Sequence, residues 1–106
     1  MIEKEKIAEI VNKIVSGYNP DKIILFGSYA TGNANEDSDL DLLVIKDSYI
    51  PRPQRTIQVR RMLYGSMIPI DLIVYTSKEI DESKENRFGF VHEVLITGKT
   101  LYERPS

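Results

Sequence analysis

The sequence predicts an α/β domain of the α+β kind, a small mixed sheet of three to four strands flanked by helices. Three observations predict it. Short apolar runs of strand length recur at KIILF, LDLLVI and IPIDLIVYT. The segments before and between them carry apolar residues at helical spacing, and glycine, proline or asparagine punctuates each junction.

Taken in order, residues 2–17 read as a helix, because Ile7, Ile10, Val11, Ile14 and Val15 share one helical face and Gly17 suits a C-terminal stop. The turn YNPD leads into the first strand, and TGNANEDS is a turn-rich connection. LDLLVI, residues 40–45, is a second strand whose apolar run is broken only by Asp41, so it is expected to be buried on both faces. Pro51 and Pro53 precede a helix from about Gln54 to Tyr64, stopped by Gly65. IPIDLIVYT, residues 68–76, is a third strand, again with one acid inside an apolar run. Thr76 or Ser77 is placed to cap a short helix through SKEIDE. RFGFVHEVLI reads as a last helix running through Gly89, with Phe88, Val91, Val94 and Leu95 on one side; KTLYE follows as an edge strand.

A chain of 106 residues, 42% apolar and 28% charged, is expected to form one domain spanning 1–106. No apolar stretch is long enough for a membrane helix, the charged start MIEKEKIAEI is unlike a secretory signal, and the default expectation is a cytoplasmic protein. With no cysteine there is neither a disulfide nor a thiolate metal site. A net charge of −2 gives no reason to expect direct nucleic-acid binding. Locally the charge is uneven: residues 35–41 carry four acids and no base, whereas Arg52, Arg55, Arg60 and Arg61 fall in a stretch without acids. Those arginines are most simply the solvated face of a helix.

The chemistry concentrates in GSYATGNANEDSDLD, residues 27–41. Asp39 and Asp41, two apart at the start of a strand, leave the same face, with Cα atoms roughly 6.5–7 Å apart. Paired carboxylates repel, and a hard divalent cation such as Mg²⁺ relieves that repulsion. With the strands at 40–45 and 69–76 adjacent, Asp71 faces the same point; three carboxylates then suit two metals about 3.5–4 Å apart, the spacing used in phosphoryl displacement. Gly27 lets the backbone approach a phosphate, while Ser28 starts a helical turn whose free N–H groups and hydroxyl bind an anion. Ser28 is also compatible with a plain N-cap. The competing calcium loop starting at Asp37 fails, since Leu42 and Ser48 stand where glycine and glutamate are required. Lys46 and His92 are expected to be solvated or partly packed rather than functional, and Phe88, Phe90, Val91 and Leu95 mostly core, with one phenylalanine left over for a protein contact.

Gly27-Ser28, ten intervening residues and Asp39-Leu40-Asp41 resemble the GS-x10-DxD signature of the DNA polymerase beta-like nucleotidyltransferases. The flanking LFGS and SDLDLLV, the later IDLIV and the ending VLITGKTLYE are similar to the minimal nucleotidyltransferases, over nearly the whole chain. The resemblance implies transfer of a nucleoside monophosphate, AMP from ATP first among them, from ATP or another NTP to an acceptor hydroxyl. It implies that Gly27 and Ser28 hold the triphosphate, that Asp39 and Asp41 bind both metals, and that Asp71 ligates the catalytic metal and helps deprotonate the acceptor. Two Mg²⁺ ions are expected, with Mn²⁺ as an alternative. The expected partner is a HEPN-type toxin, which the chain would adenylylate as its antitoxin. Two other functions stay open: an antitoxin that only masks its partner, and a small-molecule nucleotidyltransferase acting on an antibiotic. One departure stands out, because many relatives carry arginine at one or both positions matching Tyr29 and Thr31.

Overall fold

The structure is a computed structural model and describes residues 1–105. Helix α1 (Lys4–Tyr18) leads into β1 (Lys22–Phe26), a single turn α2 (Ser28–Thr31) and β2 (Leu40–Ile45). Helix α3 (Arg52–Met62), β3 (Ile70–Tyr75), α4 (Ser77–Ser83), α5 (Phe90–Thr97) and β4 (Lys99–Glu103) complete it. The strands form one mixed sheet in the order β3-β2-β1-β4. β1 runs antiparallel to both β2 and β4, and β2 runs parallel to β3. No helix among the described residues is long and apolar enough to cross a membrane.

Strand alternation divides the core in two. Even-numbered residues of β2 and β3 (Leu40, Leu42, Val44, Leu72, Val74) pack with Ile10, Val11 and Ile14 of α1 and Val59 of α3. Odd-numbered Leu43, Ile45, Ile73 and Tyr75 take the other face, with Ile80 of α4 and Val91 and Val94 of α5. β2 is central and buried along its length except at Asp41, as its apolar run predicted.

The helix ends differ from expectation in instructive ways. α1 passes through Gly17, where the missing Cβ makes room for Met62, whose Sδ lies 3.0 Å from the place a Cβ would take. The stop is Asn19 in the left-handed conformation (φ 51°), its N–H bonded to the Val15 carbonyl, with Pro20 behind it. α3 begins at Arg52 rather than near Gln54, because a proline fits a helix's first turn without losing a bond. α5 starts at Phe90, not Arg87. The Asn86 side chain accepts from Phe88 N–H and its carbonyl from Gly89 N–H, a turn that replaces the first helical turn. Phe88, expected in the core, is therefore 100% exposed, and Leu95 is also partly exposed.

Arg55 is the clearest correction to the expected solvated arginine face. Only 5% exposed, it donates to the Ile50 and Val74 carbonyls and to both carboxylate oxygens of Glu79. Glu79 also accepts from Thr76 N–H while the Thr76 hydroxyl accepts from Glu79 N–H, the capping box that starts α4. Arg52 joins this pair at 3.3 Å and lies 4.1 Å over the Tyr75 ring. Held by these cations, the Glu79 carboxyl drops to a pKa of about 2, chiefly through its hydrogen bond from Arg55.

Candidate active site

Asp39, Asp41 and Asp71 lie at the end of the sheet where β1 ends and β2 and β3 begin. Asp41 lies opposite Asp71 in the parallel β2–β3 ladder and opposite Phe26 in the antiparallel β1–β2 ladder. Adjacent strands are about 4.8 Å apart, and directly paired residues project from the same face. That face is the one α4 and α5 cover further along, so the two carboxylates stand at the open end of a partly roofed sheet.

Asp39 precedes β2 by one residue, and its position is set from both sides. Before it, Asn35 and Ser38 close a turn: Asp37 N–H donates to Asn35 Oδ1 and Asn35 N–H to the Ser38 hydroxyl. After it, Leu40 N–H donates to the Pro69 carbonyl, tying this corner to the entry of β3. Asp39 and Asp71 are exposed and Asp41 is half-buried.

None of the three acids has an ion-pair partner or a hydrogen bond among the described residues. The Asp41 carboxyl is pushed above the usual carboxylate range by burial first, then by the charges of Asp71 and Asp39. Three unpaired oxygen-donor side chains that disfavour one another's charge fit a hard divalent cation by donor chemistry. As the side chains stand, no three His, Cys, Asp or Glu residues among those described are drawn together to the spacing of ligands around one ion.

Gly27 serves this corner in a way its sequence context does not reveal. Its backbone sits at φ 73°, ψ −154°, a region that L side chains rarely adopt. A Cβ there would also run into the Asp41 carboxylate oxygen and stand 3.0 Å from its Cγ. The glycine thus makes room for the carboxylate as well as for any phosphate.

Ser28 opens α2, whose Ala30 and Thr31 N–H groups donate to the Gly27 carbonyl, so that only the two amides ahead of them remain for a ligand. Its hydroxyl bonds no other atom of the described residues. Tyr29 and Thr31, the two departures noted in the sequence, have structural uses here. The Tyr29 hydroxyl accepts from Ile2 N–H at 3.0 Å and its ring packs with the α1 side of the core, while the Thr31 hydroxyl donates to the Gly27 carbonyl.

Phe26 was not singled out by the sequence, yet it stands beside Asp41 and meets Phe90 of α5 edge-on, ring centres 5.1 Å apart. Its place directly before Gly27 is the signal that could have found it. Lys46 and His92 lie outside the site: Lys46 donates to the Asn19 carbonyl, and His92 pairs with the Lys84 carbonyl. The larger concavities also lie elsewhere, one of about 570 Å³ between α1 and β4 and one of about 870 Å³ beside Asp47 and Ser77.

The family model described as "Polymerase beta, Nucleotidyltransferase" matches residues 5–106. The chain is also 38% identical to a Methanocaldococcus jannaschii protein named provisionally as a protein adenylyltransferase, over 96% of this chain and all of that protein. This chain belongs to the polymerase beta nucleotidyltransferase family. Solved structures agree with the fold of this nucleotidyltransferase. One, provisionally called a nucleotidyltransferase of Sulfolobus solfataricus, superposes with TM-score 0.67 at 23% identity, covering 94% of this chain and 79% of that one. A toxin–antitoxin crystal structure with AMP-PNP matches with TM-score 0.61 at 20% identity, over 97% of this chain and 75% of that one. A tri-AMPylated Shewanella oneidensis HEPN toxin in complex with its MNT antitoxin also matches, at TM-score 0.61 and 17% identity, over 97% and 74% of the two chains. The nucleotidyltransferase fold carries the acid pair of β2 and β3 and the Gly27-Ser28 turn to a common corner.

Proposed function

We propose that this nucleotidyltransferase transfers AMP from ATP to a hydroxyl on a HEPN-type toxin and thereby acts as that partner's antitoxin in the cytoplasm. The observation that carries the reading is the unpaired Asp41–Asp71 pair, with Asp39 two residues away, beside the Gly27-Ser28 turn. The name of the M. jannaschii relative supports a protein acceptor, and the toxin complexes among the fold neighbours support the kind of partner.

In this reading the amides at Gly27-Ser28 and the Ser28 hydroxyl hold the triphosphate, and Gly27 leaves Asp41 free to turn toward it. Asp39, Asp41 and Asp71 would hold two Mg²⁺ ions, or Mn²⁺, which when bound supply charge neutralisation at the reacting phosphate and the departing pyrophosphate. The acceptor oxygen forms a bond to the α-phosphorus, the bond to the bridging oxygen breaks, and pyrophosphate leaves. Asp71, exposed at the mouth of the pair, takes up the hydroxyl proton. The chain's contribution is chiefly position and charge. Asp39 and Asp71 are exposed, and in this reading the partner supplies the remaining walls around the nucleotide.

Incubation of the protein with α-labelled ATP, Mg²⁺ and a co-expressed HEPN-type partner tests the reading. Label is expected on the partner with the wild type and absent with Asp39→Asn/Asp41→Asn. Full protection from the toxin by that double variant would instead favour simple masking, and label on an added aminoglycoside but not on protein would favour a small-molecule acceptor.

A further inference from the structure

A strip of aromatic side chains starts at the acids and runs along their own face of the sheet. Phe26 lies directly opposite Asp41, and Asp41 directly opposite Asp71, so ring and carboxylates share one row, with neighbouring strands about 4.8 Å apart. The Phe26 ring meets Phe90 of α5 at 5.1 Å between centres, and Phe90 in turn meets Tyr75 of β3 at 6.2 Å. Ile73, the next residue after Asp71 on that face, packs against the same cluster. None of these four side chains is fully buried, and Phe90, the first residue of α5, is 38% exposed.

The rings are not equally free. The Arg52 guanidinium lies over the Tyr75 ring at 4.1 Å, so Tyr75 already has a flat partner. Phe26 and Phe90 stand edge to face at 83°, a contact that uses one face of only one of the two rings. The turn at Asn86, which takes the N–H groups of Phe88 and Gly89, fixes where α5 begins and so holds Phe90 in place. Chain order ties the strip to the phosphate turn, since Phe26, Gly27 and Ser28 are consecutive. A nucleotide with its phosphates between that turn and the acids must place its base close by. On the carboxylates' face, Phe26 is the neighbour in the row and Phe90 stands just beyond it.

We propose that Phe90, backed by Phe26, is the platform on which the nucleobase of the substrate stacks, and that the site takes purine nucleoside triphosphates in preference to pyrimidine ones. This rests on the transfer reading above and assigns the base end of the same nucleotide. A stack reads ring area rather than a hydrogen-bonding edge, because every base has a π face. A two-ring base therefore gains more from Phe90 than a one-ring base does. Phe90 meets the nucleotide away from the reacting phosphorus, so its contribution lies in binding.

Calorimetric titration of the full chain with the Mn²⁺ complexes of three probes tests it: a non-hydrolysable ATP analogue, the matching UTP analogue, and ribose 5-triphosphate, which lacks the base. The wild type is expected to bind the ATP analogue about tenfold more tightly than ribose 5-triphosphate, the worth of one base–aromatic stack, with the UTP analogue between them. Phe90→Ala is expected to bind the ATP analogue about tenfold more weakly than wild type and ribose 5-triphosphate equally well, a difference that a loosened α5 does not produce. Phe90→Tyr keeps the ring and is expected to stay within about twofold of wild type. An ATP affinity indifferent to Phe90→Ala overturns the stacking, as does an equal loss for all three probes or a UTP analogue bound as tightly as the ATP analogue. A wild type that binds none of the three overturns the transfer reading together with it.

Discussion

Asp41 and Asp71 stand directly opposite each other in a parallel ladder, two like charges side by side in a sheet whose other residues at that level are apolar. Such a pair works against folding and gains nothing within the chain, since neither acid has a basic partner among the described residues. Replacing Asp71 by Asn is expected to lower nucleotidyl transfer by about 100-fold or more, the scale of losing one positioned charge-stabilising group. Thermal stability at neutral pH is expected to hold or rise. A fall in both together would mark Asp71 as a structural residue instead.

The raised Asp41 carboxyl has a consequence with a definite sign. A carboxyl held above its unfolded value favours the folded state while protonated and loses that contribution as pH rises through its folded pKa. Asp41→Asn is therefore expected to be more stable than wild type at neutral pH, with the gap closing as pH falls to the usual carboxylate range. Melting temperatures of both proteins from pH 3 to 7 check this, about the range over which carboxylates titrate.

Gly27 and Gly32 both have a positive φ, 73° and 85°, but only Gly27 abuts Asp41; a Cβ at Gly32 meets open space. Both Gly27→Ala and Gly32→Ala are expected to lose about 1 kcal/mol to backbone strain. Only Gly27→Ala is expected to lose transfer activity as well, because its methyl group displaces the carboxylate. Chemical denaturation and an activity assay on the pair separate strain from displacement.

Glu79 works in the opposite sense to Asp41. Its carboxyl falls from 4.5 to about 2 beside Arg55, so its contribution is present above the unfolded value and lost as pH falls between the two. Glu79→Ala leaves the Arg55 guanidinium buried without its partner and is expected to cost about 2 kcal/mol, less than a fully buried pair because solvent reaches Glu79. The variant's stability is expected to depend less on pH in that window, which acid titration of the circular dichroism signal measures.

Tyr29 stands at one of the two positions where the sequence departs from the arginines of the family it resembles, and its hydroxyl is engaged with Ile2 N–H. Tyr29→Phe is expected to cost about 1 kcal/mol, the worth of one hydrogen bond, and to leave the KM for ATP unchanged. A raised KM would assign the hydroxyl to the nucleotide.

The site was more legible in the sequence than the scaffold that supports it. Two apolar runs, each interrupted by one acid, were enough to bring Asp41 and Asp71 to one face once the strands were taken as neighbours. The pairing of residue 41 with 71 follows from the loop and helix between them, which local pattern does not encode. Arg55 was indistinguishable from its neighbouring arginines, since its burial depends on Glu79, 24 residues away on another helix. Helical periodicity carried α5 too far back because Asn86 offers the backbone a competing turn, and Phe88 left the core with it.

Transfer as proposed depends on carboxylates from β2 and β3 acting jointly on a metal–nucleotide complex. Calorimetric titration of Mn²⁺ into the protein with a non-hydrolysable ATP analogue tests this most directly, comparing wild type with Asp71→Asn. Metal binding is expected to be at least about tenfold weaker in the variant with its fold intact, since losing even an outer-shell partner of a metal site costs about that much. Equal binding by the two proteins would contradict it.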